Sequence, residues 1–321
     1  MNSAFYTYLL KQTGATEAVE YEVIQSLWSG YGQVTRYTLL GSAYPTVVIK
    51  HIDLSHMSKH PRGWNTDVSH QRKVKSYEVE TEWYQTWSTL TNASCRIPMF
   101  LGSYAVANEQ WIILEDLDEF FPLRKQELNL NEIKNCLKWL AEFHGIFLQK
   151  EPACLWEVGT YWHLATRPEE LEALKHIALK SNAEAIDKRL NQCKFKTVVH
   201  GDAKLANFCF GKNGEVAAVD FQYVGGGCGM KDVNYFLGSC MSGAECEQHE
   251  IELLDFYFMH LKKAVDLSIN FSELEQEWRA MYSVASADFM RFLLGWMPTH
   301  HKINDYEMKK VDEALQIIRS S

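Results

Sequence analysis

The run Val198-Val199-His200-Gly201-Asp202-Ala203-Lys204-Leu205-Ala206-Asn207 reads as an apolar strand ending in a polar turn, with an asparagine five positions after the aspartate. Thirteen residues beyond Asn207, Val219-Asp220-Phe221-Gln222 gives a second apolar strand that ends in a carboxylate. Two such strand ends place both carboxylates and the amide on one rim. That set suits phosphoryl transfer. A hydroxyl nucleophile needs a carboxylate to orient it and accept its proton, and Mg²⁺ needs hard oxygen ligands, here one carboxylate and one amide, with ATP phosphates completing the shell. An Asp-x-x-x-x-Asn spacing arises often by chance, so the flanking strands carry much of the reading.

The upstream sequence supplies elements to position these groups. Glu22–Leu27 and Val34–Leu40 read as strands around the small-residue turn Ser29-Gly30-Tyr31-Gly32, and Thr46–Lys50 is a short β-branched run. Residues 51–72 are polar and irregular. Val79, Trp83 and Trp87 mark a helix over 73–90, and further strands are expected at Met99–Tyr104 and Trp111–Leu114. Beyond 115–119 the character changes. Asn131 is placed as the cap of a helix running to Phe147, another helix at 168–180, a strand pair at Thr197–Val199 and Val216–Val219, and helices over most of 230–320. A small sheet-rich part, 1–115, thus precedes a larger and mainly helical part, 116–321, and ligand sites often lie at such a seam.

The Asp202…Asn207…Asp220 set, with its flanking strands, resembles the catalytic and metal-binding loops of the protein-kinase-like superfamily in its small-molecule branch. That branch holds aminoglycoside phosphotransferases, choline/ethanolamine kinases and ecdysteroid-kinase-like enzymes; the His-Gly-Asp and Asp-Phe-Gln forms look most like the first and last of these. The resemblance implies an α+β, bilobal protein-kinase-like fold, ATP and Mg²⁺ as cofactors, Asp202 as catalytic base, Asn207 and Asp220 as metal ligands, and Lys204 near the transferring phosphate. It extends over nearly the whole chain, because the other parts stand in kinase order. Ser29, Gly30 and Gly32 look like a phosphate-covering hairpin, although the third glycine of the usual kinase loop is missing. Lys50 matches the lysine that contacts the α- and β-phosphates. Glu80 matches its helix-borne partner, with Glu78 and Glu82 as competitors. Ile112 to Leu117 looks like the interlobe hinge, so Glu115 and Leu117 are expected to read the adenine edge through their backbone.

The acceptor is expected to be a small-molecule alcohol. Residues 221–231 contain no Ser or Thr and no Ala-Pro-Glu follows, which speaks against a protein kinase, and Gln222 replaces the glycine of the usual Asp-Phe-Gly. A nucleotide-binding protein without transfer activity is the alternative, disfavoured because Lys50, Asp202, Asn207 and Asp220 are all present. Asp232 is read as a loop-organising acceptor, and His200 as a support of the same loop. By the resemblance, the acceptor pocket comes from the helical C-terminal region. Asp288, Arg291 and Trp296 are its candidate contacts, beside an aromatic stripe (Trp278, Tyr282, Phe289, Phe292) that at helical spacing is ordinary packing.

The plain readings cover the rest. His144, on an apolar helix face, is a core histidine. His51, His56, His60 and His70 are too irregularly spaced for a zinc site, and their segment is read as a flap over the nucleotide. The 32 Lys+Arg against 41 Asp+Glu leave a net charge of −9, which argues against broad binding to nucleic acid or anionic membrane. No run approaches the roughly 18 apolar residues of a membrane span, the start carries no secretory pattern, and the eight cysteines form no Cys-x-x-Cys pair. A cytoplasmic protein with reduced thiols is expected, with no obligate protein partner evident.

Overall fold

A computed structural model of the chain describes residues 2–27, 30–55 and 67–320, with the backbone alone at 67 and 68. The chain divides into two compact units, Met1–Leu90 with Ile97–Pro122, and Thr91–Arg96 with Leu123–Ser321.

The first unit begins with α1 (Ser3–Thr13), capped by the Asn2 side chain and closed by Gly14. Five antiparallel strands follow, β1 (Glu17–Ser26), β2 (Gly32–Leu40), β3 (Thr46–Asp53), β4 (Phe100–Val106) and β5 (Glu109–Glu115), in the order β1-β2-β3-β5-β4, with α2 (Asp67–Gln85) between β3 and β4. Strand alternation divides β3. Val47 and Ile49 join Phe5, Leu9, Tyr37, Trp111 and Ile113 in one apolar core, with Phe5 stacked on Trp111. Lys50 points to the other face and lies near the ring of Tyr77 on α2.

The second unit carries α3 (Leu130–Ile146), α4 (Pro168–Ala173), α5 (Ile177–Ser181), α6 (Ala183–Asn191), β6 (Thr197–Val199), β7 (Phe208–Phe210), β8 (Val216–Ala218), β9 (Gly225–Gly227), α7 (Met230–Cys240), α8 (Gly243–Ala264), α9 (Phe271–Trp296) and α10 (Asp305–Ser320). Helix α3 starts at Asn129, not Asn131: Asn129 and Glu132 form a reciprocal capping box. The expected helix at 168–180 is two short helices. The expected strand pair does not form either. β6 pairs with β9 and β8 with β7, so Thr197–Val199 and Val216–Ala218 belong to different ribbons. The aromatic stripe is core as expected: Trp278, Tyr282, Phe289 and Phe292 are buried on α9, which ends at Trp296. Among the described residues no helix is long and apolar enough to cross a membrane.

Candidate active site

In the sheet unit the middle of β3 sets Lys50 between Val34 of β2 and Ile112 of β5. Its ammonium donates to Glu80 Oε2 at 2.6 Å, both side chains nearly fully buried. Glu80, not Glu78 or Glu82, is therefore the glutamate of α2 that meets Lys50. Burial removes both groups from water, and a buried pair of opposite charge needs such a close contact to offset the loss of hydration. Gly30 has φ +74° and its N–H donates to Leu27 O. Gly32 opens β2 at φ +134°, where a Cβ would lie 2.0 Å from His51 O, so the start of this strand admits glycine alone. Ser29 lies outside the described residues, as do His56 and His60 and most of the segment read as a flap. His51 is bonded to Glu109 and stacked on Trp111, and His70 is bonded to the Tyr31 hydroxyl. The Glu115 N–H donates to Met99 O, and Leu117 O accepts from Phe120 and Phe121 in a turn capped by Asp116.

In the helical unit, β6 delivers the chain into His200-Gly201-Asp202. Gly201 has φ +79°, and a Cβ there would lie 2.1 Å from Tyr223 O, so the turn cannot be made with a side chain. Asp232, fully buried at the start of α7, fixes it. Its Oδ2 accepts from the His200 N–H at 2.6 Å and its Oδ1 from the Gly201 N–H at 2.9 Å. His144 Nε2 is 3.1 Å from the same Oδ2, while its Nδ1 faces the Tyr257 hydroxyl at 2.7 Å. His144 is thus a satisfied core histidine. His200 supports the next turn. Its Nε2 donates to Val219 O at 3.0 Å and its Nδ1 accepts the Asp202 N–H, which selects the neutral ring with the proton on Nε2. Burial holds its pKa below the ordinary value.

Asp202 and its neighbours converge. Asn207 Nδ2 donates to Asp202 O at 2.8 Å and to Asp202 Oδ2 at 3.1 Å, and Lys204 Nζ donates to Oδ2 at 2.9 Å. The Tyr235 hydroxyl, on α7, donates to Oδ1 at 3.2 Å. Burial raises the Asp202 carboxyl above the usual carboxylate range, with Asp220 adding to the rise and Lys204 opposing it. Burial pulls Lys204 down, but the Asp202 carboxylate outweighs it and leaves the ammonium raised.

Asp220 joins the same neighbourhood, because the Val219 N–H donates to Asn207 O at 3.0 Å. Its backbone is left-handed, φ +70°, which costs a non-glycine residue about 1–2 kcal/mol. Such strain is concentrated at functional positions. Gln222, in the place of the usual glycine, donates from Nε2 to Asp220 Oδ1 at 2.8 Å.

The donor set fits a hard divalent cation. Both hydrogen bonds of the Asn207 amide run from its nitrogen to oxygens of Asp202, so its orientation is fixed and Oδ1 is left to serve as an oxygen ligand. Among the described residues no group of three or more His, Cys, Asp or Glu side chains is arranged to hold a metal. An ion here would rely on these two side chains and on oxygens brought by a substrate.

Asp288 and Arg291, expected to meet the acceptor, are fully enclosed instead. Arg291 binds Asp288 Oδ1 and the Trp162 carbonyl, and Trp162 Nε1 donates to Asp288 Oδ2. Burial disfavours the Asp288 charge, but Lys231 and Arg291 outweigh it and leave the carboxyl lowered. The pair ties α9 to the chain around Trp162 and has no open face to offer. Trp296 is partly exposed and stacks on Phe292. Tyr235 was not anticipated. Its signal was its place one helical turn after Asp232, which puts both on the same face of α7.

Residues 153–268 match the model of the ecdysteroid kinase-like family. Among solved structures, a choline kinase from Streptococcus pneumoniae superposes with a TM-score of 0.52 at 10% identity, covering 99% of this chain and 98% of that one. An ethanolamine kinase from Plasmodium vivax superposes with a TM-score of 0.51 at 14% identity, covering 94% of this chain and 83% of that one. No curated protein matches in sequence. The resemblance read from the motifs holds: the chain has the protein-kinase-like fold in the form found in small-molecule kinases, an antiparallel sheet unit followed by a mainly helical one.

Proposed function

We propose that this chain is an ATP- and Mg²⁺-dependent phosphotransferase that moves the γ-phosphate to a hydroxyl group of a small molecule. The observation that carries the reading is Asp202: a buried carboxylate, raised in pKa, held by Asn207, Lys204 and Tyr235 beside the strained Asp220. The family match and the fold support the kinase class.

On this reading Asp202 orients the acceptor hydroxyl and takes its proton as the acceptor oxygen bonds to the γ-phosphorus. The bond from the γ-phosphorus to the bridging oxygen breaks, and ADP leaves with that electron pair. A raised carboxyl is the better base near neutral pH. Mg²⁺, when bound, would neutralise phosphate charge, with Asn207 Oδ1 and the Asp220 carboxylate as its protein ligands. Lys204 keeps a positive charge beside Asp202, Lys50 is assigned to the α- and β-phosphates, and Gly30 and Gly32 offer close backbone approach to them. Glu115 and Leu117 are assigned to the adenine edge through their backbone. Most of the rate then comes from positioning and electrostatics. All eight cysteines are free thiols, which supports a cytoplasmic setting.

The test is a screen of amino-alcohols, sugars, sterols and hydroxy acids for ADP release from Mg·ATP. Acceptor-dependent ADP release, with phosphate recovered on the alcohol, is expected. Tight Mg·ATP binding with no release across the panel would overturn transfer and leave a nucleotide-binding protein. Label recovered on a protein hydroxyl instead would overturn the small-molecule acceptor.

A further inference from the structure

Lys302 belongs to no motif, yet it stands at the catalytic turn. It lies in the connection between α9 and α10, which its own backbone pins: its N–H donates to His300 Nδ1 and its carbonyl accepts from Asn304 Nδ2. Its ammonium is 4.8 Å from the centre of the Tyr235 ring and 5.8 Å from that of Phe289. Tyr235 is the residue whose hydroxyl donates to Asp202. One aromatic ring therefore touches the catalytic carboxylate at its polar end and carries a lysine on its face.

The charge on that lysine is poorly compensated. Among the described residues no hydrogen bond or ion pair reaches its Nζ. The ionisable groups that act on it are Asp202, Lys204, Cys240 and Glu307. Asp202 is already shared by Lys204, Asn207 and Tyr235. Glu307 is bonded to Ser286, and burial raises its carboxyl so that it carries its charge reluctantly. Burial lowers Lys302 to about 8. A half-buried ammonium with aromatic carbon beneath it and no carboxylate in contact is a receptor for an incoming anion. It is also a deterrent to a cation, because it occupies the ring faces that a cation would use and repels like charge.

Resting on the phosphotransferase reading, we propose that Lys302 is a specificity-determining residue of the acceptor site, and that the acceptor is an alcohol carrying an anionic group which this ammonium receives while the hydroxyl meets Asp202.

The experiment uses matched alcohols that differ in charge: 4-hydroxybutyrate and hydroxybenzoates as hydroxy acids, the corresponding diols as neutral partners, and choline and ethanolamine as cations. Each is measured by ligand-observed NMR for binding to the protein with Mg·ADP, and by ADP release with Mg·ATP. The unaltered protein, Lys302→Met and Lys302→Arg are compared after circular dichroism has established that all three are folded. Hydroxy acids are expected to bind roughly tenfold to a hundredfold more tightly than their neutral partners, the size of a charge-assisted hydrogen bond. Lys302→Met should abolish that preference and Lys302→Arg should keep most of it. The proposal is overturned by no anion preference in the unaltered protein, by a preference that survives Lys302→Met, or by cations binding best. It is likewise overturned if Lys302→Met raises KM for ATP and leaves acceptor preference alone, because the ammonium would then serve the nucleotide's phosphate. The two readings separate. ADP release on neutral alcohols without anion preference keeps transfer and removes Lys302, whereas anion-selective binding with no ADP release keeps Lys302 and removes transfer.

Discussion

In the sheet unit, Lys50 stands on a strand bordered on both sides and meets the helix-borne carboxylate of Glu80 at 2.6 Å. In the helical unit, Asp202 stands on a turn between short strands, and the turn is held from behind by a different aspartate. Asp232 accepts two backbone N–H groups and faces His144, which in turn faces Tyr257. One unit fixes its buried lysine by pairing it directly with a carboxylate. The other fixes the backbone that bears the charge and leaves its carboxylate among donors that chemistry can use. On the proposed reading, Lys50 as a nucleotide anchor needs only a constant place, whereas Asp202 as a base must accept a proton and release it among the donors Lys204, Asn207 and Tyr235.

The largest expected effect tests that division of labour. Asp202→Asn should lower turnover by roughly 10²- to 10⁴-fold, the usual contribution of general-base assistance, with KM for ATP nearly unchanged. Lys50→Met should do the reverse in kind and raise KM for ATP more than it lowers turnover. Steady-state kinetics on the acceptor found by the ADP-release screen measures both. Near-normal turnover in Asp202→Asn would remove the base from the helical unit, and with it the contrast.

The next effect is on stability. Asp232→Ala strands two buried backbone donors and the His144 imidazole together, which should cost about 3–5 kcal/mol and a melting temperature lower by roughly 10 °C. No single second substitution can compensate, because the donors it serves come from the main chain. The direct pair behaves otherwise. Either partner alone should be costly to remove, but Lys50→Met with Glu80→Leu should return to within about 1 kcal/mol of the starting stability, since two matched apolar groups replace two desolvated charges. Urea melts of the single and double variants decide it. A double variant as unstable as the worse single one would show that the pair is embedded in a network like that of Asp232.

The same contrast explains what could be read from the amino-acid sequence. Lys50 and the Asp202–Asn207 turn were legible because local pattern carries them: β-branched residues before the lysine, apolar strands before the carboxylates. Choosing Glu80 over Glu78 and Glu82 required the register of α2 on the sheet, which periodicity leaves undetermined between neighbouring turns. Strand β9 was missed because Gly225-Gly226-Gly227 has no strand propensity; β6 supplies its pairing from the far side of the motif. That omission also produced the wrong pairing of Thr197–Val199 with Val216–Val219. The Asn129 cap was within reach, because Asn129 and Glu132 carry the capping-box spacing. Asp288 and Arg291 are enclosed for a physical reason: opposite charges one helical turn apart pair with each other, so their presence on α9 does not by itself mean an open pocket. Lys302 carries no local signal. Its place depends on where α9 ends and how the following turn is pinned.

The smallest expected effect concerns acid. His163 belongs to the enclosed charges around Asp288. Burial, with help from Lys231 and Arg291, lowers its pKa to about 4, and Asp288 only partly opposes them. Asp187 lies 3.6 Å from its Nε2 but is a weak counter-charge, because burial raises that carboxyl too. An unfolded chain takes up this proton near pH 6.5 and the folded chain not until about 4, so between those values the unfolded state binds more protons and stability falls as pH falls. By pH 5 this one group should remove about 2 kcal/mol, with the loss complete near pH 4. His200, also held below its ordinary value by burial, adds in the same direction. His163→Gln should flatten the stability profile between pH 6.5 and 4 by its share and leave the profile above pH 7 unchanged. Urea melts across that range, followed by hydrogen exchange, would locate the acid-sensitive step. Exchange that rises first in α9 and around Trp162 would tie acid lability to the unit that holds charges through enclosed networks. Exchange that rises first in β3 and α2 would mean that the direct pair is the weaker arrangement.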